Sequence, residues 1–363
     1  MINYHKAKKV GISILRKWIF IFLVGEILFF SIVGTNYFSL NNIQNILVAS
    51  TIVLLLATGQ TFVIITGGID LSVGFMVGFS SVVCAKTMVS LEAAGFSQLL
   101  AITIGILTAL LSGLIPGFIN GFLVAKLRVP SFIATFGMYG IAYGFAEILC
   151  NNVPVHNLPT SLGSLGHGYL FYWLPGKIFN FLSKPENLTR EELKNLVSII
   201  PNVTVITFIF IGIFAFILAK TKFGQHTYAI GGNINAAERA GVNVKVHLIK
   251  VYMISSFFAS LAGVMYVLQF ITGRAPAGSA RLIDAVVAVV IGGASLSGGK
   301  GTVMGTVIGA IIIGALETGL VNLSVPTYNL HIAVGCILIF AVLIDQFSPE
   351  FIQNEGEIWY CQK

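Results

Sequence analysis

The sequence has few charged residues and few cysteines, and it lacks the motifs of common enzyme classes. Only 10% of its 363 residues are charged and 56% are hydrophobic, whereas roughly a quarter of an average soluble domain is charged. The four cysteines lie far apart and form no metal-binding or redox motif. No HExxH sequence, paired histidine set or Ser/His/Asp arrangement appears. We therefore expect no catalytic residue and no metal or cofactor site in this chain.

Long apolar runs fill most of the chain, whose mean hydropathy is +0.90. A run of about 18 or more apolar residues is long enough to cross roughly 30 Å of hydrocarbon as a helix. The sequence therefore predicts an all-α polytopic membrane protein with about ten transmembrane helices. The predicted spans are 18–34, 46–66, 71–91, 98–122, 131–149, 201–219, 248–270, 282–296, 302–322 and 329–346. The eighth is short and contains Gly292 and Gly293, so a broken or partly re-entrant helix is an alternative to a full crossing there.

The distribution of Lys and Arg predicts the orientation, because positively charged loops stay in the cytoplasm. With the amino end inside, 14 of the 21 Lys and Arg residues fall on the cytoplasmic side. We therefore expect segments 1–17 and 347–363 in the cytoplasm, a transmembrane domain over 18–346, an outer-face insertion at 151–200 and a cytoplasmic loop at 220–247. This topology explains the net charge of +7 without a nucleic-acid partner.

A polar segment, Gly231–Asn243, lies between two apolar runs in the predicted cytoplasmic loop. Two glycines and an asparagine favour a turn, and the residues from Ala236 to Ala240 favour a short helix. Gly241 is suited to end that helix in the left-handed conformation. Because so short a helix is marginal in water, we expect it to form by docking on a partner.

The predicted outer-face insertion is rich in proline and aromatic residues. A helix is predicted to begin near Leu188, where Thr189 can cap a first turn that contains Glu191 and Glu192. Two interpretations of the insertion stay open. It forms part of a docking surface or lid, or it is an insertion whose aromatic residues lie in the membrane interface.

Glycines repeat at every fourth residue in two of the predicted spans. This spacing lets helix backbones approach closely and predicts a compact bundle that forms a homo- or heterodimer. The two sets are Gly113, Gly117 and Gly121, and Gly301, Gly305 and Gly309.

The stretch from Gly293 to Thr302 superficially matches a phosphate-binding loop. It fails the motif because Ala294 stands where the first glycine is required. Gly301 follows Lys300 where a Mg²⁺-binding Ser or Thr is required. The chain therefore has no predicted ATP site of its own, and any ATP hydrolysis must occur in another subunit.

A tight turn between the second and third spans contains Gly67, Gly68, Asp70 and Ser72. Asp70 is placed to cap the following helix. A charge at mid-membrane costs roughly 2.5–3.5 kcal/mol, so Asp70 needs either a function or a shallow location. We interpret it as a structural cap at the cytoplasmic interface, with ligand binding as the alternative.

The fifth span carries Phe132, Phe136, Tyr139 and Tyr143 on one helical face. Aromatic rings with polar tips suit a sugar, whose C–H faces stack on rings and whose hydroxyls need partners. Packing against neighbouring helices is the alternative. Three glycines, at 137, 140 and 144, lie on the adjoining face and predict close packing there.

Two further carboxylates, Asp284 and Glu317, lie in the eighth and ninth spans. Carboxylates inside a membrane are often functional, which is consistent with an ion-driven or proton-driven carrier. Alternatively, Asp284 forms a surface ion pair with Arg274 or Arg281.

Three motifs together resemble the permease subunits of bacterial ABC importers for simple sugars of the ribose, xylose and galactose type. The motifs are Gly67–Gly74, the stretch from Phe223 through Asn233 to Asn243, and Ser297–Thr302. The resemblance covers roughly residues 45–346 in the same order. Related permeases of the wider family carry branched-chain amino acids or the autoinducer-2 signal.

The resemblance implies a multi-pass protein of the bacterial inner membrane with several partners. These are a second permease subunit, a cytoplasmic ATPase that holds ATP and Mg²⁺, an extracytoplasmic sugar-binding protein and a monosaccharide substrate. It also implies a coupling helix that inserts into the ATPase. The implied coupling residues are Gly232, Asn233, Ala236, Ala237, Glu238, Arg239 and Gly241.

Overall fold

A computed structural model describes residues 19–185, 188–326, 328–337 and 339 of the chain, so the predicted cytoplasmic segments 1–17 and 347–363 lie outside the described residues. The described part is mostly helical. In chain order its helices are α1 (Ile19–Val33), α2 (Leu40–Ile65), α3 (Val73–Ala93), α4 (Gln98–Ala125), α5 (Ser131–Cys150), α6 (Leu162–Gly166), α7 (Arg190–Asn195), α8 (Asn202–Lys220), α9 (Lys222–Gly232), α10 (Ile234–Arg239), α11 (Val244–Phe270), α12 (Arg281–Ile291), α13 (Val303–Asn322) and α14 (Tyr328–Ile337).

Seven of these helices are long and apolar enough to cross a membrane, namely α2, α3, α4, α5, α8, α11 and α13. The other three predicted spans coincide with the shorter helices α1, α12 and α14. The 11 residues of α12 cover about 16 Å, roughly half of the hydrocarbon thickness. The expected break is present, because α12 ends directly before Gly292 and Gly293. The count of ten crossings and the cytoplasmic location of both termini stay predictions.

The core of the bundle is built around α2 and α11, the two most buried of the seven long helices. The predicted close packing of the glycine repeats is confirmed. The glycines of α4 lie against α11, where a Cβ added at Gly117 would lie 2.8 Å from the Ser256 Cβ. In α13, Gly305 and Gly309 lie against the backbone of α12 in the same way. The outward faces of α4, α5 and α8 carry exposed large apolar side chains, as expected for helices that face lipid.

The insertion at 151–200 contains a small sheet that was not predicted from the sequence. Its strands are β1 (Tyr169–Leu174), β2 (Ile178–Phe181) and β3 (Val197–Pro201), paired antiparallel in the order β2-β1-β3. Aromatic residues in β1 and β2 favour strands, and the Phe171 ring stacks on the Phe179 ring at 5.5 Å. The all-α prediction therefore applies to the part of the chain that contains the long apolar helices, whereas the insertion contains both helices and strands.

The predicted helix in the insertion is confirmed as α7. The Thr189 hydroxyl accepts the Glu192 N–H and the Glu192 carboxylate accepts the Thr189 N–H, which together form a capping box. Glu192 also pairs with Lys177 in the turn between β1 and β2. The hydrogen bond from Lys177, followed by those from Thr189, lowers the pKa of Glu192 to about 2. This contact ties α7 to the sheet.

Candidate functional site

The polar segment forms a short helix, α10, that is capped at both ends. At its start, the Asn233 side chain accepts the N–H of the third helical residue at 3.0 Å. At its end, Gly241 has a φ of +85°, and its N–H donates to the Glu238 carbonyl at 3.0 Å. The next N–H donates to the Ala237 carbonyl at 3.1 Å, which completes a Schellman motif. The predicted helix and its glycine stop are confirmed, with the helix beginning at Ile234 instead of Ala236. The predicted turn is wrong for the two glycines, because Gly231 and Gly232 are the last residues of α9.

Most of α10 is exposed, and a single side chain anchors it. Ala237 is buried and packs in a cluster with Ile230 of α9 and Val244 of α11. Within the chain, α10 is held by its caps and this contact; that it docks on a partner stays a prediction. The predicted coupling residues lie together on α10 and its two caps, residues 232–241, which we call the exposed knob. The exposed ones are Gly232, Asn233, Ala236, Glu238, Arg239 and Gly241.

The end of α9 is packed tightly against the end of α2 and the loop before α13. A Cβ added at Gly231 would lie 1.8 Å from the Ile65 carbonyl oxygen and 2.5 Å from the Gly299 nitrogen. The Gly299 N–H donates to that Ile65 oxygen at 2.8 Å, and the Tyr228 hydroxyl donates to the Gly301 carbonyl at 2.7 Å. We call the contact of Ile65, Gly231 and Gly299 the glycine junction. The loop that superficially matches a phosphate-binding loop is therefore one of its structural parts.

Asp70 is the centre of a buried polar cluster in the segment between α2 and α3. Its Oδ1 accepts the N–H of Ser72 at 3.0 Å and also the Ser72 hydroxyl, and its Oδ2 accepts the Ser255 hydroxyl at 2.7 Å. The Asn120 amide donates to the Ser72 hydroxyl at 3.0 Å. The Gln60 side chain pairs with the backbone of Asp70. We call these five residues the Asp70 cluster.

The cluster is buried inside the bundle. Asp70 is 0% exposed, and its partner Ser255 is 11 residues beyond the first residue of α11, which is about 16 Å along the helix axis. The location of Asp70 at the cytoplasmic interface stays a prediction. The expected cap is wrong, because the N-cap residue of α3 is Ser72, and Asp70 accepts its N–H and its hydroxyl from two residues earlier. The turn itself is as predicted, with Gly67 at a φ of +80°. A buried carboxylate is tolerated here because three neighbouring donors satisfy it.

The aromatic residues of α5 line up on one face as predicted. The Phe132 and Phe136 rings are stacked with centroids 5.9 Å apart, and the Phe136 and Tyr139 rings are stacked at 5.8 Å. Phe75 of α3 lies against Tyr139 and Tyr143 at 4.3 and 4.4 Å. Phe132, Phe136 and Tyr143 are exposed in the chain. A role for this face in the substrate path stays a prediction.

The glycine face of α5 is open. A Cβ added at Gly137, Gly140 or Gly144 would have no described neighbour within 4 Å. The expected close packing of this face is therefore wrong for the chain by itself. Its backbone remains accessible to a second helix from outside the chain.

A cavity of about 440 Å³ lies at the far end of α11 from α10. The 27 residues of α11 separate the two features by about 40 Å along the helix axis. The wall is built from α2, α11, α12, α13 and the insertion at 151–200. Its polar and aromatic lining residues are Asn45, His167, Tyr169, Tyr266, Gln269, Phe270, Arg281 and Glu317. The two charged residues were predicted as candidates from the sequence, and the others were not, since single polar or aromatic residues near helix ends carry no motif.

Three charged side chains form a network at one wall of this cavity. Arg281 donates to Glu317 through both of its terminal nitrogens, at 2.8 and 2.7 Å, and to Asp284 at 3.3 Å. Asp284 is only 1% exposed, so the alternative of a surface ion pair is wrong, and its partner is Arg281. Within the described ranges, no three His, Cys, Asp or Glu side chains are grouped as metal ligands.

Comparison with known proteins identifies one family over most of the chain. The family model for the branched-chain amino acid transport system / permease component matches residues 42–343. The ribose import permease protein of Bacillus subtilis (strain 168) is 36% identical over 87% of this chain and 88% of its own length. The ribose import permease protein of Escherichia coli (strain K12) is 33% identical over 89% and 92%. The xylose transport system permease protein of Haemophilus influenzae is 33% identical over 94% and 98%.

No solved structure shows significant similarity to the chain. The seven long apolar helices and the extent of the family match agree in describing a multi-pass protein of the bacterial inner membrane. The motifs that carry the resemblance all lie inside the matched range. The chain belongs to the family of the branched-chain amino acid transport system / permease component.

Proposed function

We propose that the chain is the transmembrane subunit of an ABC importer that moves a pentose or hexose into the cell. The observation that carries this proposal is its similarity to ribose and xylose permeases over nearly their whole length. ATP and Mg²⁺ are bound by a separate ATPase subunit, because the loop from Gly293 to Thr302 fails the phosphate-binding motif.

The proposed topology has about ten crossings and both termini in the cytoplasm, with a transmembrane domain over 18–346 and cytoplasmic segments at 1–17 and 347–363. The excess of Lys and Arg on one side supports this orientation. It places α10 within a cytoplasmic coupling loop at 220–247 and the cavity on the outer side. The insertion at 151–200 then faces the extracytoplasmic sugar-binding protein.

The proposed partner at α10 is the ATPase, which receives the exposed knob in a cleft. Glu238 and Arg239 are both exposed there and available to a partner. A second permease subunit, identical or different, covers the open glycine face of α5. The absence of any described neighbour within 4 Å of an added Cβ at Gly137, Gly140 and Gly144 supports this arrangement, since small-residue faces let helices approach.

The proposed coupling route runs from α10 to the Asp70 cluster. A shift of α10 moves α9, and Gly231 transmits it to the end of α2 because no side chain separates their backbones. Asp70 follows Ile65 by five residues and is fixed to α11 by Ser255. Movement at the glycine junction therefore alters the angle between α2, α3 and α11. The aromatic face of α5, which contacts α3 through Phe75, is the proposed surface along which the sugar moves.

The wider family leaves two other substrate classes to be tested, the autoinducer-2 signal and branched-chain amino acids; the second is named in the description of the matching family. An ion-coupled carrier is the competing mechanism. Its candidate carboxylates, Asp284 and Glu317, are both bonded to Arg281, and the dependence of uptake on ATP or on a proton gradient distinguishes the two mechanisms.

The test is uptake into liposomes that hold the chain with the ATPase and the binding protein encoded beside its gene. Uptake of labelled ribose, xylose, galactose and leucine is measured with and without ATP on the side of the membrane where the ATPase is bound. We expect ATP-dependent accumulation of at least one sugar. Accumulation of leucine alone would instead establish an amino-acid permease. Uptake that needs a proton gradient and no ATP would establish a secondary carrier.

A further inference from the structure

We infer that the cavity at the end of α11 is a binding site for the transported monosaccharide, held as a neutral molecule between Arg281–Glu317 on one wall and Asn45 on α2. This inference rests on the proposed function and adds the place and the chemistry of recognition. The volume of about 440 Å³ falls within the usual range of small-molecule sites, about 300–1,000 Å³. The cavity combines apolar rings with a few polar groups, as such sites generally do.

The pair of Arg281 and Glu317 offers a polar surface whose two members are already bonded to each other. Arg281 is bonded to Glu317 at 2.8 and 2.7 Å, and Asp284 supports it from behind. The side chains of Arg281 and Glu317 remain 25% and 20% exposed, whereas that of Asp284 is 2% exposed. Guanidinium N–H donors and carboxylate lone pairs therefore lie side by side at the edge of the cavity. A sugar hydroxyl both donates and accepts, so two adjacent hydroxyls can bond to both groups at once.

The same geometry disfavours a charged or zwitterionic ligand. A carboxylate would compete for Arg281 and an ammonium group would compete for Glu317, so each would have to open the existing bidentate pair. Bidentate, charge-assisted bonds of this kind are among the strongest in proteins. A polyol bonds to the outer edge of the pair and leaves it intact. The network therefore favours a neutral, polyhydroxylated ligand over an amino acid.

The remaining lining supplies an apolar surface and a further amide. Tyr266 and Phe270 lie one turn apart on α11, with ring centroids 4.6 Å apart, and both line the cavity. Their faces suit the C–H surface of a sugar ring. The Asn45 side chain is exposed at the cavity on α2. An amide provides both donors and an acceptor for a hydroxyl.

The outer-face insertion completes the cavity. His167 lies within 2.9 Å of the Gln269 carbonyl oxygen through its Nε2, which ties the insertion to the end of α11. The Gln269 amide in turn donates to the Val48 carbonyl of α2 at 3.4 Å. Tyr169 at the start of β1 adds to the lining. The insertion is thus part of the site wall, and we expect it to help select the sugar.

The first test compares Asn45→Leu and Glu317→Gln with the matched control Glu92→Gln in the complete importer reconstituted in liposomes. Glu92 of α3 accepts a hydrogen bond from Gln98 at 2.8 Å and lies outside the cavity. We expect each cavity variant to lower sugar uptake about fivefold or more, the factor for one lost hydrogen bond. We also expect the relative uptake of ribose, xylose and galactose to change. Neither quantity should change in Glu92→Gln.

The second test measures occupancy directly and needs no ATP. Ala49 lines the cavity, so Ala49→Cys is labelled with a membrane-impermeant maleimide after Cys336 and Cys361 are replaced by serine. Cys84 and Cys150 are buried and stay in place. The transported sugar should slow labelling at Ala49→Cys at least about threefold, while leucine should not. Labelling of the exposed control Ser183→Cys should be unaffected by either compound.

The outcomes separate this inference from the proposed function. If the unmodified importer takes up a sugar that neither slows labelling at position 49 nor depends on Asn45 and Glu317, the cavity site is refuted and the transport function stands. If no sugar is taken up by the unmodified importer, the proposed function fails and the cavity site fails with it. Protection by the transported sugar together with altered sugar preference supports both.

Discussion

Replacing Gly231 with alanine is expected to disrupt the glycine junction, through which α9 and α10 contact the end of α2. The new Cβ would lie 1.8 Å from the Ile65 oxygen and 2.5 Å from the Gly299 nitrogen, both backbone atoms that cannot rotate away. The end of α9 must therefore move outward, and the 2.8 Å hydrogen bond from Gly299 to Ile65 is stretched or broken.

Three contributions determine how much Gly231→Ala changes the free energy of unfolding. Overpacking of a tight contact costs about 1–3 kcal/mol, and loss of the hydrogen bond adds about 0.5–1.5 kcal/mol. The better helix propensity of alanine returns up to about 1 kcal/mol. We expect a net loss of about 2 kcal/mol in the free energy of unfolding.

Gly232 provides the matched control, because it is the next residue in the same helix and an added Cβ there meets no described atom within 4 Å. Gly232→Ala should be neutral or slightly stabilising. The assays are the thermal midpoint of the solubilised protein, sugar uptake, and the stimulation of ATP hydrolysis by the sugar-loaded binding protein. Gly231→Ala should lower the midpoint and reduce uptake per ATP hydrolysed, and Gly232→Ala should leave the midpoint at the parent level.

Two outcomes would contradict this expectation. If Gly231→Ala is as stable as Gly232→Ala and as well coupled as the parent protein, the glycine junction does not carry movement from α10 to α2. If Gly231→Ala loses stability but keeps full coupling, the junction is structural and the coupling route lies elsewhere.

Further predictions concern the other parts of the account. Asp70→Ala leaves three donors without an acceptor and should cost about 3–6 kcal/mol, measured as loss of folded protein after solubilisation; an unchanged yield and midpoint would contradict the cluster's role. Glu238→Lys should leave the protein inserted but uncouple it, and normal uptake with normal ATPase stimulation would rule out coupling through α10. Phe136→Ala or Tyr139→Ala should impair uptake more than assembly, and uptake at the parent level would mean that the aromatic face serves packing alone. Because the pKa of Glu192 is lowered to about 2 from 4.5, its contribution to the insertion should be constant well above pH 4.5 and decline as the pH falls toward 2; a protection factor of the α7 amides, corrected for the intrinsic exchange rate, that changes between pH 6 and 8 would contradict this.

Local features of the fold were predictable from the sequence wherever one short pattern determines the structure. The stop at Gly241, the cap at Thr189 and the break after Ile291 each depend on a few neighbouring residues, and each appears in the structure. The glycine repeat containing Gly117 was also predictable, because only a small residue allows the backbone of α4 to lie against α11.

The polar cluster around Asp70 was not predictable because it depends on contacts between distant segments. Nothing near Asp70 in sequence indicates that Ser255, 185 residues away, supplies a donor. The sheet in the insertion was missed for a similar reason, since β3 is separated from β1 by α7 and its pairing is non-local.

The candidate site was predictable only in part. The composition of the polar segment and the family motifs indicated α10, and periodicity indicated the aromatic face of α5. The cavity was not predictable, because Asn45, His167 and Gln269 come from three separated segments that meet only in the folded chain. The open glycine face of α5 was misjudged, since spacing predicts that such a face packs but does not identify whether its neighbour belongs to the same chain.

The most direct test is ATP-dependent sugar uptake in liposomes that contain this chain, its ATPase and its binding protein. We predict that accumulation of ribose, xylose or galactose requires ATP on the side that exposes α10. We also predict that Glu238→Lys abolishes this accumulation while the chain stays in the membrane. Sugar accumulation that continues without ATP, or accumulation of leucine in place of any sugar, would contradict these predictions.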